Sequence, residues 1–574
     1  MTRKTSRPII VEQVDDIPVV YGMLERMGIQ EAVDSFVKAH GNWVGLSPGW
    51  VITIWLVHIL HEQNHLMEPV QTWVEGHKWT LRKLTGEKIR PLDFADDRLA
   101  LCLHYISTDA VWELIEERLG QRLIRVYDLE TGCIRLDATV GTVYHNPAPG
   151  QLFQIGKAKN GQYATQFKLM MSSLDPLGLP LVADVEPGNR ADDPLYIPSY
   201  QRTKQIVQRS GLLVVGDSKM GSLATRATIV AGQDMYLTPL KEDRDFLASL
   251  LEVWLADGAE STPVFLPADQ PRDGSPPDPK LAIAHGFATQ RPQQAMVEGQ
   301  DIVWDERLLV ICSYSYQKSE RAGLLRRLDK AEAGLLALTP PPGRGKTQIP
   351  EESLLRHHIA QVEKRYRVQG FFEYDIQRQV TERQVHRYKD KPPRRERKVR
   401  YQLDVTRNQE AIDKAQMRMG WRIYATNAPQ AKLSLSQALL AYRGQIGAEN
   451  IFRRLHGKFL SVTPLYVQRQ DHARGLIHLL TLAARLLALG DYVARQALAA
   501  EKSQLAGVYT GNAKRSTARP TMERMLKAYE GIHLLLIPQG ERRIAQLTAL
   551  TTVQERILDL LGLSYDLFTR LETA

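Results

Sequence analysis

The chain has 574 residues, a formal net charge of +9 and a pI of about 9.2. Its length excludes a single hydrophobic core and predicts about two to four domains, while the positive charge favours a polyanionic partner such as nucleic acid. The three cysteines, Cys102, Cys133 and Cys312, are scattered. This excludes a disulfide framework and a cysteine-based zinc site, and it fits a reducing cytoplasm.

Residues 1–122 are predicted to form an all-α domain. Apolar residues recur at helical spacing over 17–37 and again over 93–119. Between these stretches, Ser47 and Pro48 have the positions of an N-cap and a first helical residue. Such a unit at the start of a basic protein is either a DNA-binding head or a helical scaffold for dimerisation, and the sequence leaves both interpretations open.

Residues 123–243 are predicted to form the first part of an α/β core. The expected elements are strands at 133–144, 163–174 and 179–186, a helix at 196–208, a strand at 211–215, a helix at 223–231 and a strand at 235–240. This order suits an RNase H-like sheet, in which the first and fourth strands carry neighbouring acidic residues.

Residues 244–418 interrupt this core and are predicted to form an insertion domain. Its expected elements are a strand at 308–316, a helix at 319–338 and a hairpin of strands at 371–376 and 399–405. The tip of the hairpin has nine Lys or Arg residues against two acids over 383–400. Four of these side chains are predicted to bind DNA phosphates, although such a run is often only a solvated surface: Arg394, Arg395, Arg397 and Lys398.

Residues 419–500 are predicted to complete the core, and residues 501–574 to form a helical tail. The core elements expected here are a strand at 421–425 and helices at 434–455 and 475–500. The last helix is apolar, but it carries His478 and Arg485, which favours a buried core helix over a membrane span.

Three widely spaced carboxylates are candidates for a metal site. Asp137 and Asp217 each follow a short apolar run, as at the rim of a sheet, and Glu449 lies in a helical pattern. Such a set can hold two Mg²⁺ ions, because Mg²⁺ prefers hard oxygen ligands and leaves positions open for phosphate and water. Lys219, just after Asp217, either contacts a scissile phosphate or is solvated at the strand end.

The helix around Glu449 is predicted to present a functional face. Five side chains recur there at helical spacing: Tyr442, Gln445, Glu449, Phe452 and His456. This face is predicted to bring Glu449 toward the two aspartates, with aromatic and polar neighbours for a DNA end.

Two weaker signals have ordinary explanations. The segment Gly343–Thr347 would need a glycine where Pro340 stands to be a phosphate-binding loop. Asp192 and Asp193 are predicted to lie in a turn and a helix N-cap, with a lesser active-site role left open.

These motifs together resemble a known family. The segment 442–458 resembles the Tyr-x2-Arg-x3-Glu-x6-Lys signature of DDE transposases of bacterial insertion sequences. Further segments are similar to one branch of that family: 17–24 at the helical head, and 464–471, 475–480, 505–512 and 517–521 at the C-terminal core. The resemblance therefore covers nearly the whole chain.

The resemblance implies a fold and a set of acids. The fold is an RNase H-like mixed sheet flanked by helices, with an N-terminal all-α domain and a β-rich insertion between the second aspartate and the catalytic glutamate. Asp137 and Asp217 match the two aspartates of the family, Glu449 matches the glutamate, and Tyr442 matches the signature tyrosine.

The chain departs from the signature at two positions. Gln445 stands where the family has arginine, and His456 stands where it has lysine. Arg443 and Lys458 are close enough along the chain to replace them in binding a DNA 5′-phosphate.

The resemblance also implies an activity and partners. We expect a transposase with two Mg²⁺ ions, replaceable by Mn²⁺, that cleaves transposon ends and transfers the 3′-OH into target DNA. The expected partners are the terminal inverted repeats, the target DNA and a second copy of the chain, without a membrane, in the bacterial cytoplasm and at the nucleoid when bound to DNA. Two alternatives stay open: an inactive or domesticated transposase that binds specific DNA, and a nuclease that cuts without joining.

Overall fold

The computed structural model of the protein describes residues 8–158, 161–241, 243–256, 260–271, 273, 275–343, 346–386, 392, 394–444, 446–512, 514–539 and 542–572. The first part is a strand followed by seven helices: β1 (Ile10–Gln13), α1 (Ile17–Met27), α2 (Ile29–Phe36), α3 (Pro48–Glu62), α4 (Val70–Gly76), α5 (Lys78–Thr85), α6 (Asp96–Ile106) and α7 (Asp109–Val126). Helix α3 begins as predicted, because Ser47 accepts the N–H of Trp50 at the N-cap and Pro48 follows it.

A mixed sheet flanked by helices comes next, as predicted. Its elements up to the insertion are β2 (Cys133–Thr142), β3 (Gln154–Lys157), β4 (Tyr163–Leu174), β5 (Leu179–Pro187), α8 (Tyr196–Val207), β6 (Leu213–Gly216), α9 (Leu223–Ala231), β7 (Met235–Pro239) and α10 (Arg244–Ala256). Strand β4 pairs antiparallel with β2 and β5, whereas β6 pairs parallel with β2 on one side and with β7 on the other. The order across this part of the sheet is therefore β5, β4, β2, β6, β7.

The first part of the segment after β7 adds strands to the central sheet, and the second part forms a separate unit. It contains β8 (Thr262–Val264), β9 (Ala284–Val297), β10 (Gln300–Ser313), α11 (Tyr314–Leu336), α12 (Glu352–Tyr366), β11 (Phe372–Val385), β12 (Arg394–Arg407) and α13 (Gln409–Met417), and β13 (Trp421–Thr426) follows. Because β13 pairs with both β7 and β10, strands β8–β10 belong to the central sheet. Only the part from α11 to α13 has a separate hydrophobic core. The hairpin β9–β10 was not predicted, because β9 alternates half-buried and exposed positions filled largely by polar residues.

The helix predicted over 434–455 is two helices, and this part of the prediction is wrong. They are α14 (Leu435–Arg443) and α15 (Ile446–His456), and α16 (Gln470–Ala500) follows. Arg135 of β2 donates to the carbonyl of Ala441, an acceptor that the next helical turn would need. A β-carbon at Gly444 would lie 2.7 Å from the same guanidinium, so the glycine permits this close approach.

The tail predicted to be helical contains strands as well. Its elements are β14 (Leu505–Ala506), β15 (Ser516–Thr517), α17 (Met522–Lys527), β16 (His533–Gln539), β17 (Arg542–Leu547), α18 (Thr552–Leu561) and α19 (Asp566–Thr569). Strand β16 lies between β1 and β17, and Arg26 of α1 donates to the carbonyls of Leu561 and Gly562 at 3.0 and 2.8 Å. The two ends of the chain therefore form one unit. The prediction failed because the partner of β16 comes from the opposite end of the sequence.

Helix α16 crosses the interior of the protein. Among the described residues it is the single helix long and apolar enough to span a membrane, but 89% of its most apolar window is buried inside the protein. Its Arg485 is fully buried and pairs with the fully buried Glu116 of α7. These contacts are those of a core helix that joins the N-terminal helices to the sheet.

The crossing of α16 and α6 tests this packing. A β-carbon at Gly475 would lie 2.1 Å from the carbonyl oxygen of Leu103, and backbone cannot move aside as a side chain can. We expect Gly475→Ala to lower the free energy of unfolding by about 2 kcal/mol or more, measured by urea unfolding. The control is Gly323→Ala in α11, where nothing lies within 4 Å. It should stabilise by about 0.5–1 kcal/mol, and equal effects of the two changes would contradict the close crossing.

Candidate active site

Asp137 and Asp217 lie side by side at one edge of the central sheet. Strands β2 and β6 are parallel in a register that pairs Leu136 with Gly216, so the next residue on each strand is an aspartate. Neighbouring strands are about 4.8 Å apart, which places the two carboxylates within reach of one divalent ion. Asp217 directly follows β6, whereas β2 continues past Asp137 to Thr142, so Asp137 lies within a strand and not at its end.

The carboxylate of Asp217 is held by two donors on the same oxygen. The hydroxyl of Tyr196 donates to Oδ1 at 2.7 Å, and the backbone N–H of Lys219 donates to it at 2.8 Å. Tyr196 is the first residue of α8, and its side chain is buried. The pKa of the Tyr196 phenol is raised by burial first and then by the negative charges of Asp217, Asp137 and Asp192. The hydroxyl therefore stays protonated and remains a donor.

A buried lysine lies close to this group. Lys168 of β4 is 7% exposed, and its ammonium pairs with Asp192 and donates to the carbonyl of Arg190. The negative charge of Asp192 also raises the pKa of the Tyr196 phenol. The Lys168 contact keeps that carboxylate compensated.

Helix α15 carries Glu449 along one side of β2. Ile451 and Leu455 of this helix are buried in the core, and Arg454 fixes its far flank by donating to Glu523 at 2.7 Å and to Asp491 at 2.9 Å. On the near flank, a ring nitrogen of His456 lies 3.2 Å from the Thr139 hydroxyl.

The position of Glu449 follows from these contacts. Thr139 is two residues after Asp137 and points to the same side of β2. Glu449 is seven residues before His456 and lies on the same side of the helix. Glu449 therefore lies on the flank of α15 turned toward the strand that carries Asp137, and its side chain is exposed.

The oxygen donors of Asp137 and Asp217 suit Mg²⁺, but Glu449 does not lie close enough to them to complete a group of three ligands. Among the described residues, no three His, Cys, Asp or Glu side chains are close enough together to hold one ion. Two adjacent carboxylates that are half exposed suit an ion that binds hard oxygens and keeps several waters. A metal held by Asp137 and Asp217 would leave open positions toward Glu449 and solvent.

The remaining signature residues do not form the predicted face. The break at Gly444 separates Tyr442 from α15, and Phe452 is 8% exposed in the core while Glu449 is in solvent. Gln445 lies outside the described residues. The prediction of one continuous face is wrong because the helix is broken at Gly444. Tyr442 lies on α14, whereas Glu449, Phe452 and His456 still share α15.

Tyr442 and Arg443 instead pack at the edge of the sheet. The ring of Tyr442 meets that of Tyr424 edge-on at 4.9 Å, and Arg443 donates to the hydroxyl of Ser313 at 2.9 Å. Strand β13 is antiparallel to β7, and β10 is antiparallel to β13. Tyr424 and Ser313 therefore lie at the same edge as Asp217.

The other predicted cations are exposed. The ammonium of Lys219 lies 3.9 Å from a carboxylate oxygen of Asp193, and Lys458 follows α15 in solvent. Four basic side chains of β12 are also exposed: Arg394, Arg395, Arg397 and Lys398. They belong to the two-stranded ribbon β11–β12, which is separate from the central sheet, and most of the ribbon tip lies outside the described residues.

Two residues of this site had no signal in the sequence. Tyr196 and Lys168 lie on α8 and β4, and nothing in their local patterns distinguishes them from ordinary core or surface residues. Only the tertiary fold brings them to the carboxylates. Tyr196 and Asp217 are 21 residues apart in the sequence, so no local pattern predicts this contact.

Comparisons with known proteins give a family match for the N-terminal helices and matches among solved structures. The family model described as "Domain of unknown function (DUF4277)" matches residues 9–118, which include α1–α6 and part of α7. Among solved structures, the chain is similar to a piggyBac transposase in a synaptic complex with hairpin DNA, with 8% identity, 90% of this chain and 79% of that chain covered, and a TM-score of 0.33. That TM-score is too low to bear on the fold or the function. None of the curated proteins matches the chain, so the insertion-sequence branch remains a prediction.

The placement of the two aspartates predicts a gain of stability on mutation. In EDTA, Asp137→Asn should raise the free energy of unfolding by about 1 kcal/mol, because it ends the repulsion between adjacent carboxylates with little change of shape. Chemical unfolding followed by tryptophan fluorescence measures this. Asp193→Asn, at an exposed position, is the control and should change stability by less than about 0.5 kcal/mol. An unchanged or lower stability of Asp137→Asn would contradict the side-by-side placement.

Proposed function

We propose that the chain is a metal-dependent DNA transposase that cleaves transposon ends and joins the 3′-OH to target DNA. The observation that carries the proposal is the register of β2 and β6, which sets Asp137 beside Asp217. The order β5, β4, β2, β6, β7 supports an RNase H-like core. Strand β2, the first of the core, lies at the centre of this order, and β6, which leads to the second aspartate, lies beside it.

The acids are proposed to carry the chemistry. Asp137, Asp217 and Glu449 would hold two Mg²⁺ ions, replaceable by Mn²⁺, which supply a hydroxide at neutral pH and stabilise charge on the phosphate. Glu449 is exposed on the flank that faces β2, so its side chain can turn toward Asp137 when DNA binds. Arg454 holds the C-terminal half of α15 through Glu523 and Asp491. Only the Glu449 side chain and the first turn of the helix would therefore move.

The reaction needs no covalent intermediate with the protein. Water breaks one phosphodiester bond and frees a 3′-OH, and this hydroxyl then forms a new phosphodiester bond with target DNA as an old one breaks. Tyr442, packed against Tyr424, is proposed to position DNA and not to act as a nucleophile.

Cations around the site are proposed to bind DNA phosphates. Arg443 lies at the same sheet edge as Asp217, and Lys219 and Lys458 are exposed close to the acids along the chain. These contacts are independent of sequence and weaken with salt. Holding two transposon ends calls for two copies of the chain, in the bacterial cytoplasm and at the nucleoid when bound to DNA.

A DNA-binding protein without cleavage is the second candidate. The observation that favours it is the absence, within the described residues, of a group of three side chains able to hold one metal ion. The departures from the family signature at Gln445 and His456 also favour a protein that binds DNA without cleaving it.

Loss of Glu449 separates the two candidates. We expect Glu449→Ala to abolish Mg²⁺-dependent nicking of labelled DNA that carries the ends flanking the gene, while DNA binding in a gel-shift assay stays within about twofold. The control is Glu410→Ala, since Glu410 is also an exposed glutamate in the first turn of a helix, and it should cleave like the unmodified protein. Binding without nicking by the unmodified protein, in Mg²⁺ and in Mn²⁺, would favour the second candidate.

The basic ribbon predicts a salt effect. Replacement of all four exposed cations of β12 by glutamine should weaken DNA binding and reduce the magnitude of the slope of log affinity against log salt by about 3.6, since each phosphate contact contributes roughly 0.9. The variant carries Arg394, Arg395, Arg397 and Lys398 as Gln.

Its control removes the same charge from the neighbouring helices. The exposed cations of α11 and α12 chosen for it are Arg321, Arg326, Lys330 and Arg356. Equal slopes for the two variants would mean that the ribbon contributes only net charge. Binding isotherms by fluorescence anisotropy at several salt concentrations give the slopes.

A further inference from the structure

We infer that Tyr196 is a positioning residue that orients the Asp217 carboxylate for the divalent cation, an inference that rests on the proposed function. Tyr196 would not touch the reacting phosphate. It would act through Asp217, by deciding which of the two carboxylate oxygens is presented to the ion.

The hydrogen bonds around Asp217 carry this inference. Oδ1 receives both the Tyr196 hydroxyl at 2.7 Å and the Lys219 N–H at 2.8 Å. Within the described part of the chain, Oδ2 receives no hydrogen bond or ion pair. The Thr238 hydroxyl donates to the backbone carbonyl of Asp217 at 2.7 Å and fixes the main chain below. One oxygen is thus fully occupied, and the other remains available beside Asp137.

The charges nearby explain why a neutral donor suits this position. The negative charges of Asp137, Asp192 and Asp217 all raise the pKa of the Tyr196 phenol, so the hydroxyl lies in a negatively charged environment. A lysine there would cancel the charge that attracts a cation. A buried hydroxyl holds the carboxylate without neutralising it, as outer contacts do around metal ligands.

A purely structural role is the competing explanation, and the same helix provides the comparison. Tyr200, one turn later on α8, is also buried and donates to Asp234 Oδ2 at 2.6 Å. Asp234 is fully engaged, because it also binds the N–H of Leu212 at 2.9 Å and the ammonium of Lys204 at 2.8 Å. Tyr200→Phe therefore removes an equivalent hydroxyl at a place with no free carboxylate oxygen.

The test is metal binding by the full chain without DNA. Mn²⁺ is titrated into EDTA-treated, dialysed protein, and free Mn²⁺ is measured by electron paramagnetic resonance. We expect Tyr196→Phe to weaken the site by roughly 10- to 100-fold, whereas Tyr200→Phe binds like the unmodified protein. Thermal unfolding of both variants checks that each is folded at the titration temperature.

Asp217→Asn separates the possible failures. If the unmodified protein binds Mn²⁺, Asp217→Asn does not, and Tyr196→Phe binds normally, then Tyr196 is not a positioning residue and the proposed function stands. If the unmodified protein binds no better than Asp217→Asn, the metal site of the proposed function is itself wrong.

A second measurement covers a Tyr196→Phe protein too unstable for titration. The Mn²⁺ dependence of DNA nicking at low temperature should show a raised half-saturation concentration with the maximal rate largely retained. A lowered maximal rate at an unchanged half-saturation concentration would overturn the inference.

Discussion

Two carboxylates on neighbouring parallel strands repel each other, and the register of β2 with β6 holds Asp137 and Asp217 in that arrangement. Protein interiors compensate such charges by pairing them with cations. Here Lys168 pairs with Asp192 and Arg135 pairs with Asp175, while Asp217 receives only neutral donors. Asp217 thus keeps its negative charge at the sheet edge, and this is the charge that the proposed divalent cation would balance.

The surrounding helices depend on the same strand. Arg135 lies two residues before Asp137, is 3% exposed, and is joined to Asp175 by two hydrogen bonds of 3.0 Å. Its contact with the carbonyl of Ala441 ends α14 and starts α15 at a fixed place over β2. Arg454 then ties the opposite flank of α15 to α16 and α17. The position of Glu449 relative to the aspartates is therefore set by two arginines that do not belong to the acid group.

The sequence predicted those helices and strands whose bounds are marked by residues within or next to the element. Strand β4 and helix α9 have the predicted bounds, because the turn of residues 175–178 follows β4 directly and Ser222 caps the start of α9. The break at Gly444, the contact of Tyr196 with Asp217, and the pairing of β1 with β16 could not be predicted. Each depends on residues far apart in the sequence, and no local pattern encodes their meeting. The candidate acids were predicted from their sequence settings and from a family resemblance, whereas the contact of Tyr196 with Asp217 required the fold.

The most direct measurement is the anomalous scattering of Mn²⁺ in crystals of the protein with DNA. We expect a Mn²⁺ peak between the carboxylates of Asp137 and Asp217, at about 2.2 Å from an oxygen of each, with Asp217 Oδ2 as the ligand and Glu449 turned toward the ion. A peak elsewhere, or none at these two aspartates under conditions that saturate other sites, would contradict it.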